Sequence, residues 1–142
     1  MNLTPTRQRI QAPDSNVPII LVVEDEEDNL LFLSHLLIFF KYNFITATKG
    51  QDALDLATKY KIDLVVLDLV LPDMNGLDLV KALKRNQSTQ NMPILAVSAM
   101  VTGKDRVRAF KAGCDDYLEK PYYIDELNYK IRQYLPQLLV FF

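Results

Sequence analysis

A chain of 142 residues, 49% of them hydrophobic, has material for one substantial core and no room for a second large domain. Sixteen Lys plus Arg stand against eighteen Asp plus Glu, a formal net charge of −2 with no basic run, which argues against nucleic-acid binding by this chain directly. A single cysteine, Cys114, excludes an internal disulfide and a multi-cysteine metal site. The N-terminus lacks the apolar core of a secretory signal, and the apolar runs fall far short of the ~20 residues of a membrane span, so a cytoplasmic chain with no membrane partner is expected.

Residues 1–16, rich in Thr, Pro, Gln and Asn without periodic apolar positions, read as a flexible leader, and residues 17–136 as one folded domain. Within it, short β-branched apolar runs at 19–23, 44–48, 63–67, 93–97 and 116–119 predict strands. Spacing near 3.6 residues predicts helices at 28–40, 51–60, 77–86, 104–112 and 124–135. The first and third strands are apolar on both faces, as parallel strands covered by helices are, and the strict alternation implies an α/β, doubly wound parallel sheet of five strands. The first helix carries more apolar residues, Leu30 to Phe40, than one core stripe holds, so some are expected to face a protein partner. Residues 137–142 form an apolar tail, expected to pack back on the domain or join a homodimer.

Chemistry in such sheets gathers beyond the carboxyl ends of the strands. There the predicted strands end in Glu24-Asp25, Asp68, Ser98 and Lys120-Pro121. Three carboxylates on one edge repel one another unless a divalent cation or the lysine offsets their charge, and oxygen ligands of this kind suit Mg²⁺. Asp25 and Asp68 are the expected direct ligands, with Glu24 acting through water. Asp68 is then the candidate nucleophile toward phosphorus, with Lys120 and Ser98 placed to bind two phosphoryl oxygens while the metal holds the third.

These residues carry a resemblance. Val23-Glu24-Asp25, then Asp68-Leu69-Val70-Leu71-Pro72-Asp73-Met74-Asn75-Gly76, then Val97-Ser98-Ala99, then Asp116-Tyr117-Leu118-Glu119-Lys120-Pro121 are similar, in order and spacing, to the receiver domain of two-component response regulators. The resemblance implies a flavodoxin-like fold with strand order 2-1-3-4-5, phosphorylation of Asp68, and a Val70 backbone carbonyl as a further metal ligand. It also implies a Lys120-Pro121 peptide that is commonly cis, and Tyr117 as a switch residue whose ring turns inward as Ser98 moves toward the phosphoryl group. Histidine kinases or histidine phosphotransfer proteins are the implied phosphodonors, docking on the first helix, and the downstream target is a protein. Glu24 and Ser98 vary from the commoner aspartate and threonine, and Val70 and Met100 are apolar where polar groups are common.

Plainer readings compete at several positions. Glu26 to Asp28 suit an ordinary helix N-terminus, Asp73 suits turn chemistry with no catalytic role, His35 suits a surface position, and Cys114 suits a small packed hydrophobe. As a whole, the chain reads as a single-domain switch that signals by protein contact without being an enzyme in the ordinary sense. The alternative is a receiver module of a larger transcription factor or hybrid kinase. A flavodoxin-like nucleotide or flavin binder lacks its glycine-rich phosphate loop here, and the complete set Asp25, Asp68, Ser98 and Lys120 argues against a degenerate receiver.

Overall fold

The computed structural model describes residues 17–99 and 102–135, and the leader, Met100 and the apolar tail lie outside them. Five strands, β1 (Ile19–Val23), β2 (Asn43–Ala47), β3 (Leu64–Leu67), β4 (Ile94–Ser98) and β5 (Asp116–Glu119), alternate with five helices. The helices are α1 (Glu27–Phe39), α2 (Gly50–Lys59), α3 (Gly76–Arg85), α4 (Gly103–Ala112) and α5 (Ile124–Tyr134). The strands form one parallel sheet in the order β2-β1-β3-β4-β5.

Alternation along each strand sorts the apolar residues into two cores. Leu21, Val23, Val65, Leu67, Ile94 and Ala96 face α2, α3 and α4, packing on Ala53, Leu79 and Ala109. Ile20, Val22, Leu64, Val66, Leu95 and Val97 face α1 and α5, packing on Leu33, Leu37, Leu127 and Ile131. Both sides of β1 and β3 are therefore dry, which is why these strands read as unbroken apolar runs.

Most predicted boundaries move by a single residue, for local reasons. Pro93 has no N–H for the ladder, and β4 starts at Ile94, whose N–H bonds the Asp115 carboxylate at 2.8 Å. Asp63 sits before β3 because its side chain accepts the Ile19 N–H at 2.8 Å. Asn75 and Thr102 cap α3 and α4, accepting the backbone N–H groups of Leu77 and Asp105 at 2.8 and 3.1 Å.

The first helix leaves apolar surface uncovered as its composition implies: Leu30, Leu33, Leu36 and Leu37 are buried, while Phe32 and Phe39 are 50% and 74% exposed. His35 is exposed. Cys114 is buried, and burial pushes its thiol up to about 12, which suits a packed hydrophobe and suppresses thiolate chemistry.

Among the described residues, the fully buried hydroxyl of Ser34 is the one buried side-chain polar atom without a hydrogen-bond partner. Removing it relieves a desolvation cost and improves helix propensity, so Ser34→Ala is expected to stabilise the fold by about 1 kcal/mol. A urea midpoint at or below that of the wild type would contradict this.

Candidate functional site

Backbone hydrogen bonds carry the parallel ladder one step past the strand ends and fix the residues that follow. The N–H of Glu24 bonds the Ala47 carbonyl at 3.0 Å, that of Asp68 the Val23 carbonyl at 2.9 Å, and that of Lys120 the Ser98 carbonyl at 3.0 Å. Residues far apart in sequence thereby meet at one edge of the sheet. The Lys120 Nζ stands 2.8 Å from Asp68 Oδ2 and 3.0 Å from Glu24 Oε1, bridging two carboxylates. Each carboxylate also has a backbone donor. Val70 N–H bonds Asp68 Oδ1 at 2.9 Å, and Glu26 N–H bonds Glu24 Oε2 at 3.1 Å. The Lys120–Pro121 peptide is cis.

Burial sets the electrostatics. Glu24 is 1% exposed; desolvation and then the Asp68 charge raise its carboxyl above the ordinary glutamate value, against the Lys120 and Glu26 hydrogen bonds. For Lys120 the largest effect, desolvation, disfavours the ammonium, yet its hydrogen bonds and charge contacts with Asp68 and Glu24 outweigh it and the pKa is raised. Asp68 keeps 11% of its side chain accessible, enough for a reacting group to reach an oxygen.

The expected three-carboxylate cluster is looser than the sequence suggests. Glu24 and Asp68 converge on Lys120, but Asp25 stands exposed beside them. Among the described residues, no three acidic, histidine or cysteine side chains close into a ready-made cage. A hard divalent ion of the Mg²⁺ type needs no such cage, since one or two carboxylates with waters and phosphate oxygens complete its shell. The oxygen-only donors Asp25, Asp68 and the Val70 carbonyl fit that requirement, and Glu24, already paired to Lys120, suits an outer role.

Ser98 closes β4 and is fully buried. Tyr117, in β5, is only 5% exposed and in hydrogen-bond contact with the Ser98 side chain. The Arg106 guanidinium covers that ring at 5.2 Å from its centroid, a contact that residue spacing gave no means to foresee. Val70 is 58% exposed at the rim. A cleft of about 450 Å³, lined by Phe32, Leu33, Ala99, Pro121 and Tyr122, has Glu24, Asn29 and Lys120 as polar members.

Asp73 does more than shape a turn. Its two carboxylate oxygens accept the backbone N–H groups of Gly50 and Gln51 at 2.7 and 3.0 Å, at the N-terminus of α2. Nothing in the local spacing connects this loop with a helix that begins 23 residues earlier.

The raised Glu24 pKa has a consequence for stability. The folded state holds this proton more tightly than the unfolded chain, so the cost is absent at low pH and grows as the pH rises above the ordinary value of 4.5. In chelator, Glu24→Gln is accordingly expected to melt above the wild type at pH 7, with the advantage shrinking toward pH 4.5. A lower melting temperature at neutral pH would show that the Lys120 pairing outweighs the desolvation.

The model of the response regulator receiver domain matches residues 20–132. The response regulator ArlR of Staphylococcus aureus is 41% identical over 116 residues, 82% of this chain and 52% of the relative, so the chain spans about half the length of the curated relatives it matches. Among solved structures, the receiver domain of the Pseudomonas aeruginosa sensor histidine kinase PA1611, with a magnesium ion in its active site cleft, aligns with a TM-score of 0.78 at 26% identity, covering 83% of this chain and 97% of that one. The chemotaxis response regulator CheY4 of Vibrio cholerae aligns with a TM-score of 0.78 at 26% identity, covering 84% and 99%. With the parallel 2-1-3-4-5 sheet and the motif order read above, these matches establish that the chain belongs to the response regulator receiver domain family.

Proposed function

We propose that this chain is a phosphorylation switch whose acceptor is Asp68, loaded in a Mg²⁺-dependent reaction from a histidine kinase or histidine phosphotransfer protein. The observation that carries the reading is the Lys120 ammonium held at 2.8 Å from Asp68 and 3.0 Å from Glu24, beside an exposed Asp25. A packed ion pair alone does not need a third acid within reach of solvent.

In the proposed step an Asp68 carboxylate oxygen forms a bond to phosphorus while the donor's bond from phosphorus to imidazole nitrogen breaks, its electron pair returning to the ring. Lys120, 2.8 Å from Asp68, offers its ammonium to a phosphoryl oxygen as charge develops. The Ser98 hydroxyl donates to a second oxygen, and Val70 N–H holds the carboxylate at its other oxygen. Asp25, Asp68 and the Val70 carbonyl would hold Mg²⁺, with Glu24 acting through water, and the ion would supply charge neutralisation at the remaining oxygen.

Signal leaves by protein contact. The apolar cleft beside Phe32 and Tyr122 opens next to the Lys120 pair, which suits a phosphodonor surface that must reach Asp68. Val107, Phe110 and Ile124 are exposed on α4 and α5, the helices on either side of β5 in sequence, which carries Tyr117. That face suits a downstream protein or a second copy of the chain. Among the described residues no helix is long and apolar enough to cross a membrane.

Asp68→Asn, whose amide is a poor nucleophile, is expected to abolish acid-labile, hydroxylamine-sensitive phosphorylation by a small-molecule phosphodonor. Stoichiometric label on that variant, read by intact-mass spectrometry, would end the assignment. Tyr117→Ala is expected to keep Asp68 phosphorylation within about twofold of wild type, since the ring contacts no reacting atom. It should nonetheless flatten the phosphorylation-dependent NMR shifts of α4 and α5. Identical shift changes in the two proteins would reduce Tyr117 to a packed aromatic.

A further inference from the structure

We propose that Asp73 is a positioning residue that tethers the β3–α3 loop to the N-terminus of α2 and so holds the Val70 backbone in register with Asp68. The inference rests on the functional reading above, and it starts from a helix that does not cap itself. Lys49, the N-cap residue of α2, offers no side-chain hydrogen bond, and the first two N–H groups of the helix are taken instead by Asp73. The carboxylate lies at the positive end of the α2 dipole, where a negative charge is favoured. Those backbone donors lower its pKa, so it stays ionised through the neutral range.

The loop is pinned at its tip and closed at its base. Val70 and Asn75 form an antiparallel bridge, and Gly76 N–H bonds the Leu69 carbonyl at 3.0 Å. Met74 packs against Gly50, where an added Cβ would lie 2.5 Å from its Cγ and Sδ, so the loop and the start of α2 already meet at the closest approach a side chain allows. At the base, Val70 N–H fixes Asp68 Oδ1 at 2.9 Å, and the carbonyl of the same residue is the proposed metal ligand. Freeing the tip therefore loosens the peptide groups that orient the nucleophile and complete the ion's shell. A residue serving only as a cap for α2 would have no such effect.

Magnesium titration by calorimetry, alongside thermal melting, separates the two roles. Asp73→Ala is expected to raise the Mg²⁺ dissociation constant about 10-fold, the lower end of what losing groups that orient metal ligands costs. Asp73→Asn, which keeps one acceptor oxygen, should fall between. Adding Lys49→Ser to Asp73→Ala supplies α2 with a cap of its own, at a backbone already extended as an N-cap requires. The double variant should regain the melting temperature and keep the weakened Mg²⁺ affinity. Wild-type affinity in a folded Asp73→Ala protein, or recovery of both properties by Lys49→Ser, would overturn the tether while leaving the phosphorylation reading intact. A wild-type protein that bound no Mg²⁺ and took no label on Asp68 would overturn both.

Discussion

The Lys120 ammonium, placed between Glu24 and Asp68, is the interaction on which the rest of the site depends. Burial makes the Glu24 carboxylate costly to keep ionised, and the neighbouring Asp68 charge adds to the cost. One cation offsets this only in part, as the raised Glu24 pKa records. The site is thus left with unspent negative charge facing solvent through Asp25. Such a residue of charge gives a divalent cation or a phosphoryl group with its metal something to bind, and a fully neutralised cluster would not.

Geometry places that ammonium more than packing does. Each of Glu24, Asp68 and Lys120 is held by a main-chain hydrogen bond that continues the parallel ladder beyond the last strand residue. The registers of β1, β3, β4 and β5 therefore decide which side chains meet. Two dry cores fix those registers, since a slip by one residue would exchange the sets facing α1 and α5 with those facing α2, α3 and α4.

Much of this was legible in the sequence because its signals are local or periodic. The apolar runs of β1 and β3 reveal strands covered on both faces, and the residues just past them name the site. What escaped notice depends on contacts between elements. Sequence placed Asp25 and Glu24 on one edge but could not say that Glu24 alone is buried against Lys120 while Asp25 is exposed. Asp73 reads as a turn residue since Pro72 and Gly76 flank it, and the α2 N–H groups it serves belong to a different part of the chain. The surplus of apolar groups on α1 was visible from composition, but which of them stay uncovered, Phe32 and Phe39 foremost, follows only from how α1 lies on the sheet.

Arg106 resting on the Tyr117 ring has a further consequence. The ring itself is almost invisible to solvent, so a partner outside the domain cannot feel its orientation by touch. The guanidinium above it is charged, sits on an exposed residue and is held by the ring face, which ties its location to the aromatic plane beneath. Any turn of that ring would shift a positive charge on the surface, felt at a distance of about a Debye length before contact is made.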